Sequence, residues 1–516
     1  MKLRLFVAAS AFALTNIPAP LAAQMNMPGM AMPAHSKTPR KTSSTSVKKR
    51  EAAKKEEAAK KAKTTAGHKT ASPPTGQGAG AMPVEHQGMS MPSQPQSATA
   101  PAKPMTMDRG AMDMGRMDRI EMPGGDHAMH AMAMTGALGS YPMERESSGT
   151  SWQPDASDEA GIHVMSGEWM LMAHGLVNLV YDQQAGSRGA SKAFASGMLM
   201  GMARRPLGTG TLQLKAMVSP EPLMGPKGYP LLLASGETAN GHDRLVDRQH
   251  PHDFFMEISA SLSTDISSKS SLFLYAGLPG EPAFGPPAFM HRESILDSPE
   301  APITHHWLDS THITFGVVTA GLVLGNVKLE ASRFNGREPD QHRWNIETGA
   351  LDSSSLRLSF NPSKSLSLQG SWAHLTDPEQ LERGIDQTRW SASALFAKDV
   401  APGWHAAATL AWGRKSSAGK NDDAIAAEAS IRHSDWTIFS RAEWIENREL
   451  LDVPEGPAYR VGKVSVGVIR DWRIAGHLSL GAGGLASLNF LPGALEPLYG
   501  GANPIGAMAF VRLRLN

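Results

Sequence analysis

The sequence predicts an all-β protein, a transmembrane antiparallel β-barrel of about 14–16 strands preceded by a signal peptide and a long disordered arm rich in methionine and histidine. Three observations predict this organisation. The chain begins with an export-type segment, continues into a stretch without hydrophobic periodicity, and from about Glu168 alternates apolar and polar residues to its end. The predicted boundaries are residues 1–23 for the signal, 24–150 for the arm and 160–516 for the barrel.

The composition excludes several classes of function. The 516 residues include no cysteine, which excludes a disulfide scaffold, a thiolate-ligated metal cluster and a cysteine nucleophile. Residues 1–63 carry a net charge of +10, so that the rest of the chain carries −9 of the total of +1. Nucleic acid is therefore not an expected partner, because duplex binding needs a basic face. A mean hydropathy of −0.27 excludes a bundle of membrane helices.

The first 23 residues predict a secretory signal. Lys2 and Arg4 precede an apolar stretch at residues 5–14, and small residues close the segment at 22–23. This order is typical of a signal peptide cleaved after Ala23, and the apolar core is too short to span a bilayer. We expect the mature protein to work outside the cytoplasm.

Residues 24–150 predict a disordered arm, because their Pro, Gly, Ser, Thr, Ala, Lys and Met cannot bury enough apolar surface to offset the entropy of ordering. Seventeen of the 29 methionines lie between Met25 and Met143, in short-spaced sets with histidine. Thioethers are soft ligands that select Cu(I), and imidazoles add affinity for Cu(II). The alternative, methionine as apolar filler, needs a core that this segment lacks. The candidate copper ligands are Met25, Met27, Met30, Met32, His35, His86, Met89, Met91, Met105, Met107, Met112, Met114, Met117, His127, Met129, His130, Met132 and Met134.

The remaining chain has strand periodicity. Residues 356–360, 366–372 and 507–515 place apolar side chains on one face and polar ones on the other. Segments of about ten residues match a tilted bilayer crossing, and a closed barrel removes the edges of such strands. A soluble sandwich or a propeller would also fit the alternation. Two long segments without strand pattern, 224–245 and 278–310, are expected to be extracellular loops or lumen plugs.

Two histidine-rich strings in the barrel are candidate metal sites. His250, His252 and Asp253 cluster at a strand entrance, and a second string, THHWLDSTH, spans residues 304–312. Histidine and aspartate at these spacings suit Cu(II), Zn or another divalent ion, and equally suit a turn that satisfies loop backbone groups. We expect no enzyme, since no G-x-S-x-G string has a convincing context. A lipid hydrolase using His250 and Ser259 is the least favoured alternative.

The order of signal peptide, Met/His-rich arm and carboxy-terminal barrel resembles copper resistance protein B. The string DRQHPHDFFMEIS, residues 247–259, is similar to outer-membrane barrels of metal-resistance settings. The chain departs from that family in a Lys/Ala/Glu spacer at residues 50–63 and in ending at Asn516 rather than at an aromatic residue.

The resemblance implies copper sequestration or export at the Gram-negative outer membrane, with the arm in the periplasm. The implied partners are membrane lipids, metal ions and periplasmic copper proteins. The alternative function is a general porin or solute channel whose arm is a passive spacer.

Overall fold

The computed structural model describes residues 135–158, 161–451 and 456–515. The predicted signal peptide and all candidate copper ligands of the arm, Met25 to Met134, lie outside these ranges. The described residues form an all-β unit with a few helices of one turn, and none of those helices is long and apolar enough to cross a bilayer.

The described chain contains 19 strands. They are β1 (Ile162–Ser166), β2 (Trp169–Gln184), β3 (Ser191–Leu207), β4 (Gly210–Val218), β5 (Tyr229–Thr238), β6 (Arg244–Gln249), β7 (Phe255–Ser267), β8 (Ser270–Gly277), β9 (Val317–Leu324), β10 (Val327–Phe334), β11 (Ser353–Ser363), β12 (Leu366–Leu375), β13 (Gln387–Ala401), β14 (Trp404–Ser417), β15 (Lys420–His433), β16 (Trp436–Asn447), β17 (Tyr459–Ala475), β18 (Leu478–Phe490) and β19 (Ile505–Leu515). The helices are α1 (His305–Leu308), α2 (Glu496–Tyr499) and the 3₁₀ turns Met143–Arg145, Glu221–Met224, Phe289–His291 and Ser310–His312.

Sixteen strands, β2 to β4 and β7 to β19, form a closed antiparallel ring. Each pairs with the next in this order, and β19 closes the ring on β2 with Leu515 opposite Gly175. The hairpin β5–β6 is a separate two-stranded sheet, and β1 pairs with the start of β2 beyond the end of β19. The predicted barrel is confirmed, at the upper end of the predicted strand number.

The alternation along each strand separates an apolar outside from a polar inside. On β11, Leu356 and Leu358 are 49% and 51% exposed, whereas Arg357 between them is 1% exposed. Soluble proteins bury aliphatic side chains and expose arginine. The reverse arrangement is stable when lipid surrounds the barrel and polar partners fill it.

The two ends of the barrel differ in their connections. At one end, here called the turn end, two-residue turns join β3 to β4, β7 to β8, β9 to β10 and the later pairs. Gly208, Gly325 and Gly403 have φ of 62–72° there, as tight hairpin turns require. The other end, the loop end, carries long connections, among them 219–254, 278–316 and 335–352. Both β1 and the end of β19 lie at the turn end.

Residues 135–158, here called the entry segment, differ from the sequence prediction. Residues 135–150 were expected in the disordered arm, but Leu138 and Tyr141 are buried with Trp152 against Phe273 and Val323 of the barrel wall. The segment has no strand or helix period because its order comes from this contact with the wall and not from a regular element of its own. The ordered unit therefore begins no later than residue 135.

Two connections from the loop end fill the lumen, and together they are called the plug: residues 219–254, which include β5–β6, and residues 278–316. Leu231, Leu232 and Leu233 of the hairpin are buried in one cluster with wall residues such as Phe439 and Phe510. The second connection bonds to strands around the ring. The sequence analysis predicted that these segments are extracellular loops or lumen plugs, and in the structure they are lumen plugs.

Candidate functional site

The lumen face of β10–β19 is strongly charged. Buried cations outnumber buried carboxylates on these strands. The cations are Lys328, Arg357, Arg389, Lys415, Arg441, Lys463 and Arg512, and the carboxylates are Glu330, Asp422, Glu428 and Glu443. Some pair within the wall, as Arg357 Nε does with Glu330 Oε2 at 2.9 Å.

The plug supplies the balancing carboxylates. Asp297 pairs with Arg512, and Glu300 pairs with Lys463. In the opposite sense, plug Arg292 places Nη2 2.7 Å from Glu428 Oε1 and Nη1 2.6 Å from its neighbour Asp309 Oδ2. Buried charges need such partners, so these pairs fix the plug in one position within the ring.

The lumen face of β2, β3, β4 and β7 is different, because thioethers line it. We call these buried or half-buried residues the methionine wall: Met170, Met172, Met198, Met200, Met202, Met217 and Met256. Met200 lies opposite His174 on one neighbouring strand and opposite Met217 on the other. Directly opposite residues have Cβ atoms about 4.5–5.5 Å apart, so His174, Met200 and Met217 form one row across three strands.

A cavity of about 90 Å³, the first cavity, lies between the methionine wall and residues of the entry segment and the plug. Met143, Met170, Met198, Met200 and Met202 line it together with His174 and His291. The two imidazole rings are 6.3 Å apart between centroids. Among the described residues, neither His174 Nε2 nor His291 Nε2 has a hydrogen-bond partner, although both atoms are buried. Burial, with His174 nearby, lowers the pKa of His291 to about 3, so its ring is neutral.

A second, smaller cavity continues from the first. Its volume is about 40 Å³, and it shares Leu176, Met198 and Leu296 with the first cavity. His252 lines its other side. The two cavities therefore adjoin at the three shared residues, between the thioether-lined region and His252 of the plug.

Five plug histidines form what we call the central histidine cluster: His250, His252, His305, His306 and His312. Neighbouring rings in this cluster are 5.2–6.1 Å apart between centroids. The fold thus unites the two histidine strings that the sequence analysis treated separately. His252 Nδ1 lies 2.9 Å from Glu221 Oε2, and His305 Nδ1 lies 2.8 Å from Asp309 Oδ1. A carboxylate only accepts, so each Nδ1 carries the proton.

The three barrel residues predicted to share a metal ion point to different partners. His250 Nε2 lies 3.1 Å from Glu237 Oε1, and His252 binds Glu221. Asp253 Oδ2 accepts from Arg343 Nη1 at 3.0 Å. Within the described ranges, no group of three or more His, Asp and Glu side chains is arranged to hold a metal ion. His250, His252 and Asp253 therefore contact three different carboxylate or guanidinium partners, and their role as metal ligands stays a prediction.

The hydrolase alternative gains no support from the geometry of its two residues. Ser259 Oγ donates to Glu257 Oε1 at 2.6 Å, on the lumen side of β7. His250 pairs with Glu237 instead. A nucleophilic serine needs its base within hydrogen-bond reach, and Ser259 has a carboxylate partner on its own strand.

The methionine wall was missed by the sequence analysis, which counted methionines only in the arm. The signal is present in the string MLMGM, residues 198–202, and in MLM, residues 170–172. Methionine at every second position of a strand places all the sulfur atoms on one face. His291, by contrast, reaches the same cavity from a loop, and no sequence pattern indicates that.

No protein-family model matches the chain, and no curated protein sequence matches it. Among solved structures, the chain is similar to OmpF of Salmonella typhi in complex with daunomycin, with 10% identity and a TM-score of 0.44 over 68% of this chain and 100% of that chain. It is also similar to OmpT of Vibrio cholerae, with 7% identity and a TM-score of 0.39 over 68% and 100%. The outer-membrane channel DcaP of Acinetobacter baumannii matches with 11% identity and a TM-score of 0.37 over 69% and 100%.

The barrel fold agrees with the resemblance drawn from the sequence. The specific assignment to copper resistance protein B stays a proposal.

Proposed function

We propose that this protein is an outer-membrane channel of Gram-negative type whose lumen is closed by its own plug. The observation that carries the proposal is a closed ring of 16 strands with an apolar outside and a charged lumen that holds an internal loop by buried ion pairs. This proposal is the general porin or solute channel that the sequence analysis gave as its alternative. It adds that the pore opens only when the plug moves.

The proposed orientation follows from the two ends of the barrel. In outer-membrane barrels the short turns face the periplasm and the long loops face outward. The entry segment lies at the turn end, where Ala156 N donates to Lys364 O and Arg145 Nη1 donates to Gly325 O. The arm that precedes the entry segment is therefore proposed to be periplasmic.

A disulfide between plug and wall tests the channel. Ser294 Oγ of the plug lies 2.8 Å from Thr409 Oγ1 of β14, and the chain has no native cysteine. Two small side chains this close suit a disulfide. We expect the wild type to open intermittently in planar bilayers, and Ser294→Cys/Thr409→Cys to stay closed until a reductant is added.

The matched control joins two parts of the wall without contacting the plug. Thr209 Oγ1 in the turn between β3 and β4 lies 3.1 Å from Thr264 Oγ1 of β7. Thr209→Cys/Thr264→Cys should conduct like the wild type, oxidised or reduced. A cross-linked plug that conducts normally would contradict gating by the plug, and a wild type that never conducts would contradict the channel itself.

A second candidate function is copper binding by the arm. The arm's composition favours it, and so does the methionine wall, which lies on the first strands of the ring that follow the arm in the sequence. We propose that Met25 to Met134 and their neighbouring histidines bind Cu(I) and lower its free concentration, with periplasmic copper proteins as exchange partners. Titration of the whole protein with Cu(I) against a competing chelator tests this. Replacing every arm methionine by leucine should remove most of the bound copper, and unchanged binding would end the proposal.

A further inference from the structure

We infer that the first cavity is a binding site for one soft monovalent metal ion, Cu(I) or its analogue Ag(I), held by His174, His291 and the thioether of Met200. The site is distinct from the arm and from the central histidine cluster. It stands or falls independently of the channel proposed above, because binding is measured without conduction.

The two histidines provide the first reason. His174 stands on β2 and His291 approaches from the plug, so both residues line the first cavity, and the Nε2 atom of each is buried without a partner among the described residues. A buried polar atom without a partner is uncommon, and each instance needs an explanation. A neutral imidazole presents a lone pair at its unprotonated nitrogen, which is the donor that a copper ion uses.

The methionines provide the second reason. Several outward positions of these strands hold leucine, as at Leu171, Leu199 and Leu214, whereas methionine is frequent at the inward positions of β2 and β3. Leucine and methionine are similar in volume and apolarity, so packing alone does not require methionine there. Methionine adds a soft sulfur donor, and five methionines line the first cavity.

The donor atoms around the cavity suit a soft ion better than a hard divalent one. The lining charges balance, with the cations Arg204, Lys215 and Arg514 and the carboxylates Glu146, Asp158 and Glu293, so the choice of ion depends on the free donors. Of the lining carboxylates, Glu146 Oε1 accepts from Leu138 N and Tyr141 Oη, and Glu293 Oε1 lies 3.0 Å from His405 Nε2. Magnesium and calcium ions need several oxygen ligands. Asp158 Oδ2, on the third lining carboxylate, accepts from Arg432 Nη2, so that Glu293 Oε2 is the one buried carboxylate oxygen at the cavity without a partner among the described residues. One such oxygen is too few for a hard cation, and the other free donors are nitrogen and sulfur.

The second cavity gives the ion a next position. It shares Met198 with the first cavity, and His252 on its far side has an unpartnered, buried Nε2. The ring of His312, whose Nε2 is also unpartnered, is 5.2 Å from that of His252 between centroids. Ligand exchange from Met200 through Met198 to His252 would move an ion from the turn end towards the middle of the lumen.

Silver(I) and methyl NMR of the whole protein test the site. The protein is labelled with ¹³C at methionine methyl groups and folded in micelles, and the Met200 resonance is identified by its loss in Met200→Leu. Silver nitrate should shift this resonance. The resonance of Met508, a buried lumen-facing methionine on β19 outside the cavity, serves as the matched reference and should stay in place.

The histidine variant separates ligation from a general effect of silver. In His174→Gln/His291→Gln, half of the Met200 shift should require about tenfold more silver or more. Met508→Leu should leave the titration unchanged. An unshifted Met200 when the arm is saturated would overturn the site, and so would an equal titration in the double variant. Folding of each variant is checked by its mobility change on heating in detergent gels.

Discussion

At the residue scale, the position of the plug depends on Arg292. This side chain is 1% exposed and pairs with Glu428 of the wall and Asp309 of the plug. Removing one partner of a buried pair leaves the other charge without compensation, which typically costs about 3–5 kcal/mol.

We predict that Arg292→Met lowers the free energy of unfolding by about that amount, 3–5 kcal/mol, in urea titrations of the micellar protein. The matched variant is Arg460→Met. Arg460 also pairs with a glutamate, Glu446, at 3.1 Å, but its side chain is 71% exposed. An exposed pair contributes about 1 kcal/mol or less, so equal losses in the two variants would contradict the assigned role of Arg292.

Glu281 of the plug gives the structure a pH dependence. Burial raises the pKa of Glu281 to about 8, although Arg357 opposes the shift. A carboxyl group whose pKa is raised on folding keeps its proton to a higher pH in the folded state than in the unfolded state. It therefore destabilises the folded protein increasingly as the pH rises from its unfolded pKa, near 4.5, towards 8.

We predict that Glu281→Gln stabilises the protein at pH 8 and has little effect near pH 4. The same urea titrations at the two pH values check this. The wild type measured at each pH provides the reference. If Glu281→Gln is as stable as the wild type at both pH values, Glu281 stays ionised on folding and the prediction is wrong.

At the element scale, the hairpin β5–β6 is held in a conformation that most residues avoid. Leu233 has φ of 72° and Asp247 has φ of 55°, both in the left-handed region. Asp247 Oδ1 accepts from Leu233 N at 2.8 Å and from Tyr499 Oη at 2.9 Å, and Asp247 Oδ2 lies 2.6 Å from Arg188 Nε. One carboxylate therefore joins both strands of the hairpin to the loops around it.

We predict that Asp247→Ala loosens the hairpin, since the buried Leu233 N–H loses its acceptor at a cost of about 1–3 kcal/mol. Limited proteolysis should then cut within residues 229–249 faster than in the wild type. Asp243→Ala, in the exposed turn of the same hairpin, is the control and should be cut at the wild-type rate. Equal rates for all three proteins would contradict this role of Asp247.

The strands of the ring were predictable from sequence because their alternation is set locally. Leu356, Arg357 and Leu358 need no knowledge of the rest of the chain to be assigned to opposite faces. The pairing of β4 with β7 across an inserted hairpin was not predictable, because it depends on the burial of Leu231 to Leu233 against distant strands. The meeting of His174 with His291 has the same origin: one is placed by register and the other by a loop whose course is determined by tertiary contacts.

At the scale of the whole molecule, the entry segment is bonded to the barrel wall. Arg145 and Ala156 bond to turns at the turn end, and Arg357 Nη2 of β11 donates to Thr150 Oγ1 at 2.9 Å. Removing residues 24–134 leaves these contacts in place, whereas removing residues 24–158 takes them away.

We predict that the shorter deletion leaves the conductance in planar bilayers unchanged and that the longer one raises it. Residues 1–23, the predicted signal peptide, are kept in both proteins. Equal conductance of the two deletion proteins would show that the entry segment does not obstruct the lumen.

The division of charge between wall and plug has a consequence for the open state. With Asp297, Glu300 and Asp309 withdrawn, the cations of β10–β19 would face water in excess over the remaining carboxylates. Such a tunnel attracts chloride and repels free cations, so the reversal potential in a salt gradient should indicate anion selectivity. A soft cation would then not drift through the pore with the current. It would cross only while bound, handed from one sulfur or nitrogen donor to the next.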